Sequence, residues 1–206
     1  MADIALAMAP NMIGLIVRGK KSASDSPKLL EQHADCILSD GSPLGFYGTG
    51  QDRSGNSVGL RMDGVVYDYP LLRTQRFFYV DFASAVAYGA VSTTLLVTVS
   101  IPQAKAFQDC WNTMKTTPES FNIVGDNCST HASKAFMEAG VLKSGVPGLD
   151  TPNNLYRQLV AGLPGKTRSI SGYIGFMPRA AGGFDIRCRP YVLLAGAVVT
   201  ADRSWS

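Results

Sequence analysis

The stretch Gly125-Asp126-Asn127-Cys128-Ser129-Thr130-His131-Ala132 turns a loop into a helix and sets a cysteine in its first turn. Asp126 or Asn127 can cap that turn, because a short side-chain oxygen accepts bonds from amides that have no partner within the helix. Ala132, Ala135, Phe136 and Ala139 recur at helical spacing and give one apolar face; Gly140 is the stop. Such a face must lie on something. The rest of the chain offers short extended segments, so the pattern predicts an α+β fold with an antiparallel sheet packed against helices.

The segments follow from composition. His33 to Leu38 reads as a strand closed by the turn Ser39-Asp40-Gly41-Ser42-Pro43, and Leu44 to Tyr47 as the next extended piece. Gly64 to Tyr69 and Phe77 to Phe82 read as strands. Thr93 to Ile101, β-branched and uncharged, reads as a buried one. Pro102 opens a helix to about Lys115, with Ala104, Phe107, Cys110 and Trp111 on one side. A further helix starts at Thr151-Pro152-Asn153-Asn154-Leu155. Ser171 to Phe176 and Tyr191 to Val199 are extended candidates. Residues 18–28 are polar and read as a loop, and the glycine-rich run from Gly48 to Gly59 as a mobile surface loop.

A chain of 206 residues, 46% hydrophobic and 17% charged, fits one domain, 1–206, with a core of its own. The net charge of +3 comes without a dense basic run; Arg18, Lys20 and Lys21 are the tightest cluster. Nucleic acid is therefore not an expected partner, since it needs a focused basic face. The apolar stretch Ala2 to Val17 lacks a basic leader and is broken by Pro10 and Asn11, so it does not read as a cleaved signal. No stretch reaches the ~20 apolar residues of a membrane span. The expectation is synthesis in the cytoplasm, with any export by a route that reads no cleaved signal. The four cysteines show no CxxC pair and read as reduced. Cys36 and Cys110 fall in apolar runs and read as core; Cys188, between Arg187 and Arg189, reads as more exposed and without a role.

The chemistry starts from Cys128. The positive end of the helix dipole favours a thiolate there, and such settings bring a thiol from ~8.5 down to roughly 3.5–7.5. A thiol nucleophile needs a base, and the chain has two histidines. His131 lies three residues on, about 60° round the same helix, where neighbouring side chains diverge. His33, at the head of a strand, can face Cys128 across a groove between helix and sheet, the pairing that acyl-transfer sites use. Cys128 and His33 are thus the expected catalytic pair. Asn127 and His131 are supporting candidates, His131 reading first as a core histidine. Asp35 shares the strand face of His33 and is the candidate third member, although a dyad is what the residues themselves give. His33, Cys36, Cys128 and His131 also make up the ligand set of a zinc site. Positions three apart on a strand point to opposite faces, which spoils one pair, so no metal is expected. The glycines at 48, 50, 55 and 59 do not open a helix, so neither a phosphate loop nor a dinucleotide pattern is present, and no cofactor is expected.

Several segments, in order, resemble the circularly permuted branch of the papain-like superfamily, which includes NlpC-type peptidoglycan endopeptidases and lecithin–retinol-acyltransferase-like enzymes. His33-Ala34-Asp35-Cys36-Ile37-Leu38-Ser39-Asp40-Gly41 with Leu44-Gly45-Phe46-Tyr47-Gly48 is similar to its histidine strand. Asp126-Asn127-Cys128-Ser129-Thr130-His131-Ala132 and Glu138-Ala139-Gly140-Val141 are similar to its Asn-Cys helix, and Thr151-Pro152-Asn153-Asn154-Leu155-Tyr156 to the helix start that follows. The likeness spans about residues 30–160. Many relatives carry glycine before the histidine; here it is Gln32.

The resemblance implies a cysteine hydrolase acting on peptidoglycan stem peptides. Among bacterial relatives are wall-degrading toxins delivered by type VI secretion. That implies a secretion-apparatus carrier, a cognate immunity protein and a site of action in the periplasm of a target cell. Two alternatives stand beside it. One keeps the fold and changes the substrate, to protein deconjugation or lipid-to-amine acyl transfer; the other is a catalytically silent binding module.

Overall fold

A computed structural model describes residues 2–27, 32–50, 61–122, 125–144 and 151–191. Among them, strands β1 (Ile4–Leu6), β2 (Met12–Arg18), β3 (His33–Ile37), β4 (Pro43–Gly48), β5 (Arg61–Tyr67), β6 (Val91–Thr98), β7 (Ser120–Asn122), β8 (Thr167–Pro178) and β9 (Phe184–Pro190) alternate with five helices. These are α1 (Tyr69–Gln75), α2 (Phe82–Ala87), α3 (Ile101–Thr116), α4 (Cys128–Glu138) and α5 (Pro152–Gly162). The strands form one nine-stranded sheet in the order β1-β9-β8-β6-β2-β3-β4-β5-β7. Every pairing in it is antiparallel. No described helix is long and apolar enough to cross a membrane.

Strand alternation divides the interior into two apolar clusters. Leu15, Val17, Ala34, Cys36, Phe46 and Leu95 pack with Phe107 and Trp111 of α3, Phe136 of α4 and Leu155 of α5. Ile16, Ile37, Tyr47 and Leu96 join the other cluster, with Leu72 of α1, Val80 and Ile174. β2 and β6 are covered on both faces, which is why each reads as a nearly continuous apolar run. The register that matters for the site lies in the middle of the sheet: Arg18 opposite His33 between β2 and β3, and Asp35 opposite Gly45 between β3 and β4.

Helix capping corrects three of the expected boundaries. Phe77 to Phe82 is not a strand. Phe77–Tyr79 makes a 3-10 turn, and the side chain of Asp81 accepts from the Ser84 amide at 2.8 Å to start α2. Asp68 likewise ends β5 and caps α1, with Pro70 in its first turn. The strand expected to run on to Ile101 stops at Thr98, because Ser100 and Gln103 form a capping box that makes Ile101 the first residue of α3. The N-terminal segment, read only as a failed signal, supplies β1 and the central strand β2.

Burial corrects three more. Residues 18–28 are not simply a solvated loop: Arg18 ends β2 at 2% exposure and Lys20 is 1% exposed. Lys20 Nζ donates to Asn153 Oδ1 at 2.8 Å and to the Asp25 carbonyl, tying β2 to the start of α5. Cys188 is fully buried, because alternation along β9 turns Ile186 and Cys188 inward and the flanking arginines outward. Cys110, in the middle of α3, is only half-buried. Residues 51–60 of the glycine-rich run and 192–199 of the last extended candidate lie outside the described residues.

Candidate active site

α4 begins at Cys128 because the residue before it supplies the cap. Asn127 has an extended backbone, and its Oδ1 accepts from the amides of Ser129 at 3.0 Å and Thr130 at 3.2 Å. Of the two candidates for this role it is Asn127, not Asp126, that fills it. The helix lies against β3, and the Ala34 amide donates to Cys128 Sγ at 3.4 Å. His33, one residue earlier at the head of the same strand, stands beside Cys128, close enough for each to shift the other's protonation. Cys128 is 7% exposed and the His33 side chain 16%, so both are largely covered.

The other end of the imidazole is held as firmly. His33 Nε2 lies 3.0 Å from Asp35 Oδ1, which leaves Nδ1 as the nitrogen available to Cys128. Asp35 is fully buried, and its carboxylate is saturated: Tyr47 Oη donates to Oδ1 at 2.9 Å and Arg18 Nε to Oδ2 at 2.7 Å. A charge this deep is tolerated only when paired and hydrogen-bonded. Room for it comes from the facing strand, where a Cβ on Gly45 would stand 2.0 Å from Asp35 Oδ1. The Arg18 guanidinium is fixed in turn by Ser92 Oγ at 3.5 Å and by the Tyr79 ring, whose centroid is 4.4 Å away. The His33 ring stacks on Tyr47 at 4.1 Å and lies parallel to Tyr79 at 6.5 Å.

These contacts set the protonation states. Burial would push the His33 imidazole down, but the neighbouring Cys128 sulfur and Asp35 carboxylate outweigh it and raise it to about 10. Burial would push the Cys128 thiol up; the His33 charge and hydrogen bond, with the Ala34 amide, bring it below its ordinary value. Burial opposes the Asp35 charge as well, and Arg18 and His33 overcome it to hold the carboxyl at about 2. These interactions favour an imidazolium backed by a carboxylate, beside a thiol that ionises more easily than an ordinary cysteine.

His131 stands apart from this network. Its Nδ1 donates to the Asn127 carbonyl at 2.9 Å, and its ring lies flat on Phe46, centroids 3.5 Å apart. Burial pushes its imidazole down. It supports the first turn of α4 from within the core. Among the described residues, no group of three or more His, Cys, Asp or Glu side chains is placed to hold a metal. Gln32, where many relatives of the resembled family carry glycine, accepts from the Asn153 amide at 3.1 Å and so anchors α5 beside the histidine strand.

Sequence reasoning missed Arg18, Gly45 and Tyr79 as parts of the site. An arginine ending an otherwise apolar strand is a readable sign of a buried partner; nothing local marks Tyr79. Compared with protein-family models, with curated proteins and with solved structures, the chain matches none.

Proposed function

We propose that this chain is a cysteine hydrolase of the permuted papain-like type that cleaves amide bonds in peptidoglycan stem peptides, as an antibacterial effector delivered by type VI secretion. The observation that carries the chemistry is the strand β3 that sets Ala34 against the Cys128 sulfur and holds His33, beside it, on the buried Asp35 carboxylate. The choice of substrate and delivery route rests on the resemblance of the His33 strand and the Asn127-Cys128 helix start.

In this reading the Cys128 thiolate attacks the carbonyl carbon, and the carbon–oxygen double bond opens to an oxyanion. The Asn127 cap takes the Ser129 and Thr130 amides, and the His131 amide bonds the Asn127 carbonyl. The Cys128 amide is then the first-turn donor for that oxyanion, aided by the dipole of α4. The His33 imidazolium gives its proton to the amide nitrogen as the carbon–nitrogen bond breaks, leaving a thioester on Cys128. Neutral His33 next takes a proton from water, hydroxide adds to the thioester carbon, and the acid departs as the thiolate reforms. Asp35 stays ionised throughout and steadies the imidazolium.

Purified peptidoglycan fragments incubated with the protein test this directly. New amine and carboxyl termini in the stem peptides, found by mass spectrometry with wild type and absent with Cys128→Ala, are the expected result. Intact stem peptides with wild type, or equal cleavage by Cys128→Ala, would reject it.

A further inference from the structure

Beyond His33 the sheet ends in a groove of about 680 Å³. Its floor is Gly19, Ala90 and Val91, where β2 and β6 run out past the Arg18 pair, and its walls are Phe78, Tyr79 and Tyr88. The groove adjoins the candidate active site, with Tyr79 standing between the two. It lines the groove, covers the Arg18 guanidinium at 4.4 Å and lies parallel to the His33 ring.

The walls are aromatic, yet they are not enclosed. Tyr88 is 64% exposed, and its ring stacks on Phe78 with centroids 5.9 Å apart. An alkyl chain gains most where water is excluded all round. A half-open aromatic shelf suits an occupant with one apolar and one polar face. A pyranose ring has that form, with axial C–H groups on a face and hydroxyls at its edge, which would stay in water. Lys21 lines the same groove and is itself exposed, offering an ammonium to a hydroxyl, acetamido or carboxylate oxygen.

We infer that this groove is a saccharide subsite, in which the exposed ring of Tyr88, backed by Phe78, stacks on a sugar ring of the glycan attached to the peptide that Cys128 cleaves. The inference rests on the wall-hydrolase reading and adds to it: glycan-linked peptide is the preferred substrate, and free stem peptide is a poor one.

The experiment compares kcat/KM for stem peptide still joined to its disaccharide with kcat/KM for the same peptide freed of sugar. Wild type is expected to prefer the linked form by about tenfold. Tyr88→Ala is expected to lower that ratio roughly three- to tenfold, the worth of one aromatic contact, with its fold checked by circular dichroism. Val160→Ala, an exposed apolar residue on α5, serves as the control that keeps the ratio. Equal cleavage of both forms by wild type overturns the subsite and leaves the hydrolase standing. If neither form is cleaved, the hydrolase reading fails, and calorimetric titration of Cys128→Ala with a β-1,4-linked N-acetylglucosamine tetramer decides the groove. Binding that Tyr88→Ala abolishes supports it; no binding, or binding of octanoate in its place, overturns it.

Discussion

His33 and His131 are the same residue type, both packed at the N-terminal end of α4, and the protein treats them in opposite ways. His33 is held between a sulfur and a carboxylate and is raised to about 10. His131 gives one proton to a main-chain carbonyl, lies flat against Phe46 and is pushed down by burial. Nearness in sequence to Cys128 favours His131, yet chemistry follows the partner. An imidazole with a buried carboxylate behind it can carry charge at neutral pH, whereas one pressed on a phenyl ring is kept neutral. That difference separates the charged corner of the molecule from its structural neighbour.

The sharpest way to break the comparison is to remove each imidazole. His33→Ala and Cys128→Ala should each lower kcat/KM on wall fragments by on the order of 10⁴-fold or more, and the double variant by little beyond that, because the two act as a unit. His131→Phe, which keeps a flat ring on Phe46, should stay within about tenfold of wild type. A loss in His131→Phe equal to that in His33→Ala would erase the distinction.

Asp35 carries the next largest effect. Asp35→Asn keeps the size of the side chain but removes the charge that supports the imidazolium, and roughly 10²- to 10⁴-fold of the rate should go with it. It also leaves the Arg18 guanidinium buried without its anion, at a cost of about 3–5 kcal/mol read from the urea midpoint. Pairing Asp35→Asn with Arg18→Met should recover much of that stability and none of the rate. Recovery of both would mean that the carboxylate only neutralises Arg18 and does nothing for His33.

Legibility of these parts in the sequence tracked how local their causes are. The Cys128 helix start, its stop at Gly140 and the His33 strand were readable because capping, helical spacing and turn residues act within a few positions. The helix-on-sheet class was readable from the same signals. Phe77 to Phe82 failed because an aromatic run suits a strand as well as a helix face, and the deciding group was the cap at Asp81. Arg18 and Lys20 failed for another reason. Their partners, Asp35 and Asn153, lie 17 and 133 residues away, so their burial is a product of the tertiary fold. The carboxylate behind His33 was visible only as a candidate on the same strand face. What joins it to the imidazole is the space left by Gly45 and the bonds from Tyr47 and Arg18, which no spacing rule contains.

The two histidines should also leave different marks on stability against pH. Unfolded histidine titrates near 6.5 and cysteine near 8.5. His33, raised in the fold, contributes stability that is full below about pH 6.5 and is lost as pH rises toward about 10. Cys128, lowered in the fold, works the other way: its contribution is full above about pH 8.5 and is lost as pH falls through its folded value. Above about pH 8.5 the unfolded thiol gives up its proton while folded His33 keeps its own until about 10, and stability falls with rising pH. His131, lowered by burial, contributes only an acid fall. The difference in urea midpoint between wild type and a His33→Ala/Cys128→Ala variant should therefore fall as pH rises from about 8.5 to about 10. The difference against His131→Phe should decline on the acid side alone. A flat difference for the first variant would remove the ion pair.

Asn127 is where the two regions meet, and it gives the smallest and most selective effect. Its side chain caps the turn that holds Cys128, while its carbonyl takes the His131 proton. Asn127→Ala deletes the first contact and keeps the second. The lost cap should cost about 1 kcal/mol of stability, and Asn127→Asp should restore it. Because a frayed first turn aims fewer dipoles at the sulfur, the pH midpoint of Cys128 alkylation by iodoacetamide should rise in Asn127→Ala. His131→Phe, which deletes the second contact and keeps the first, should leave that midpoint where it is. If both variants move it equally, the thiolate depends on the packing of the whole helix start and not on its cap.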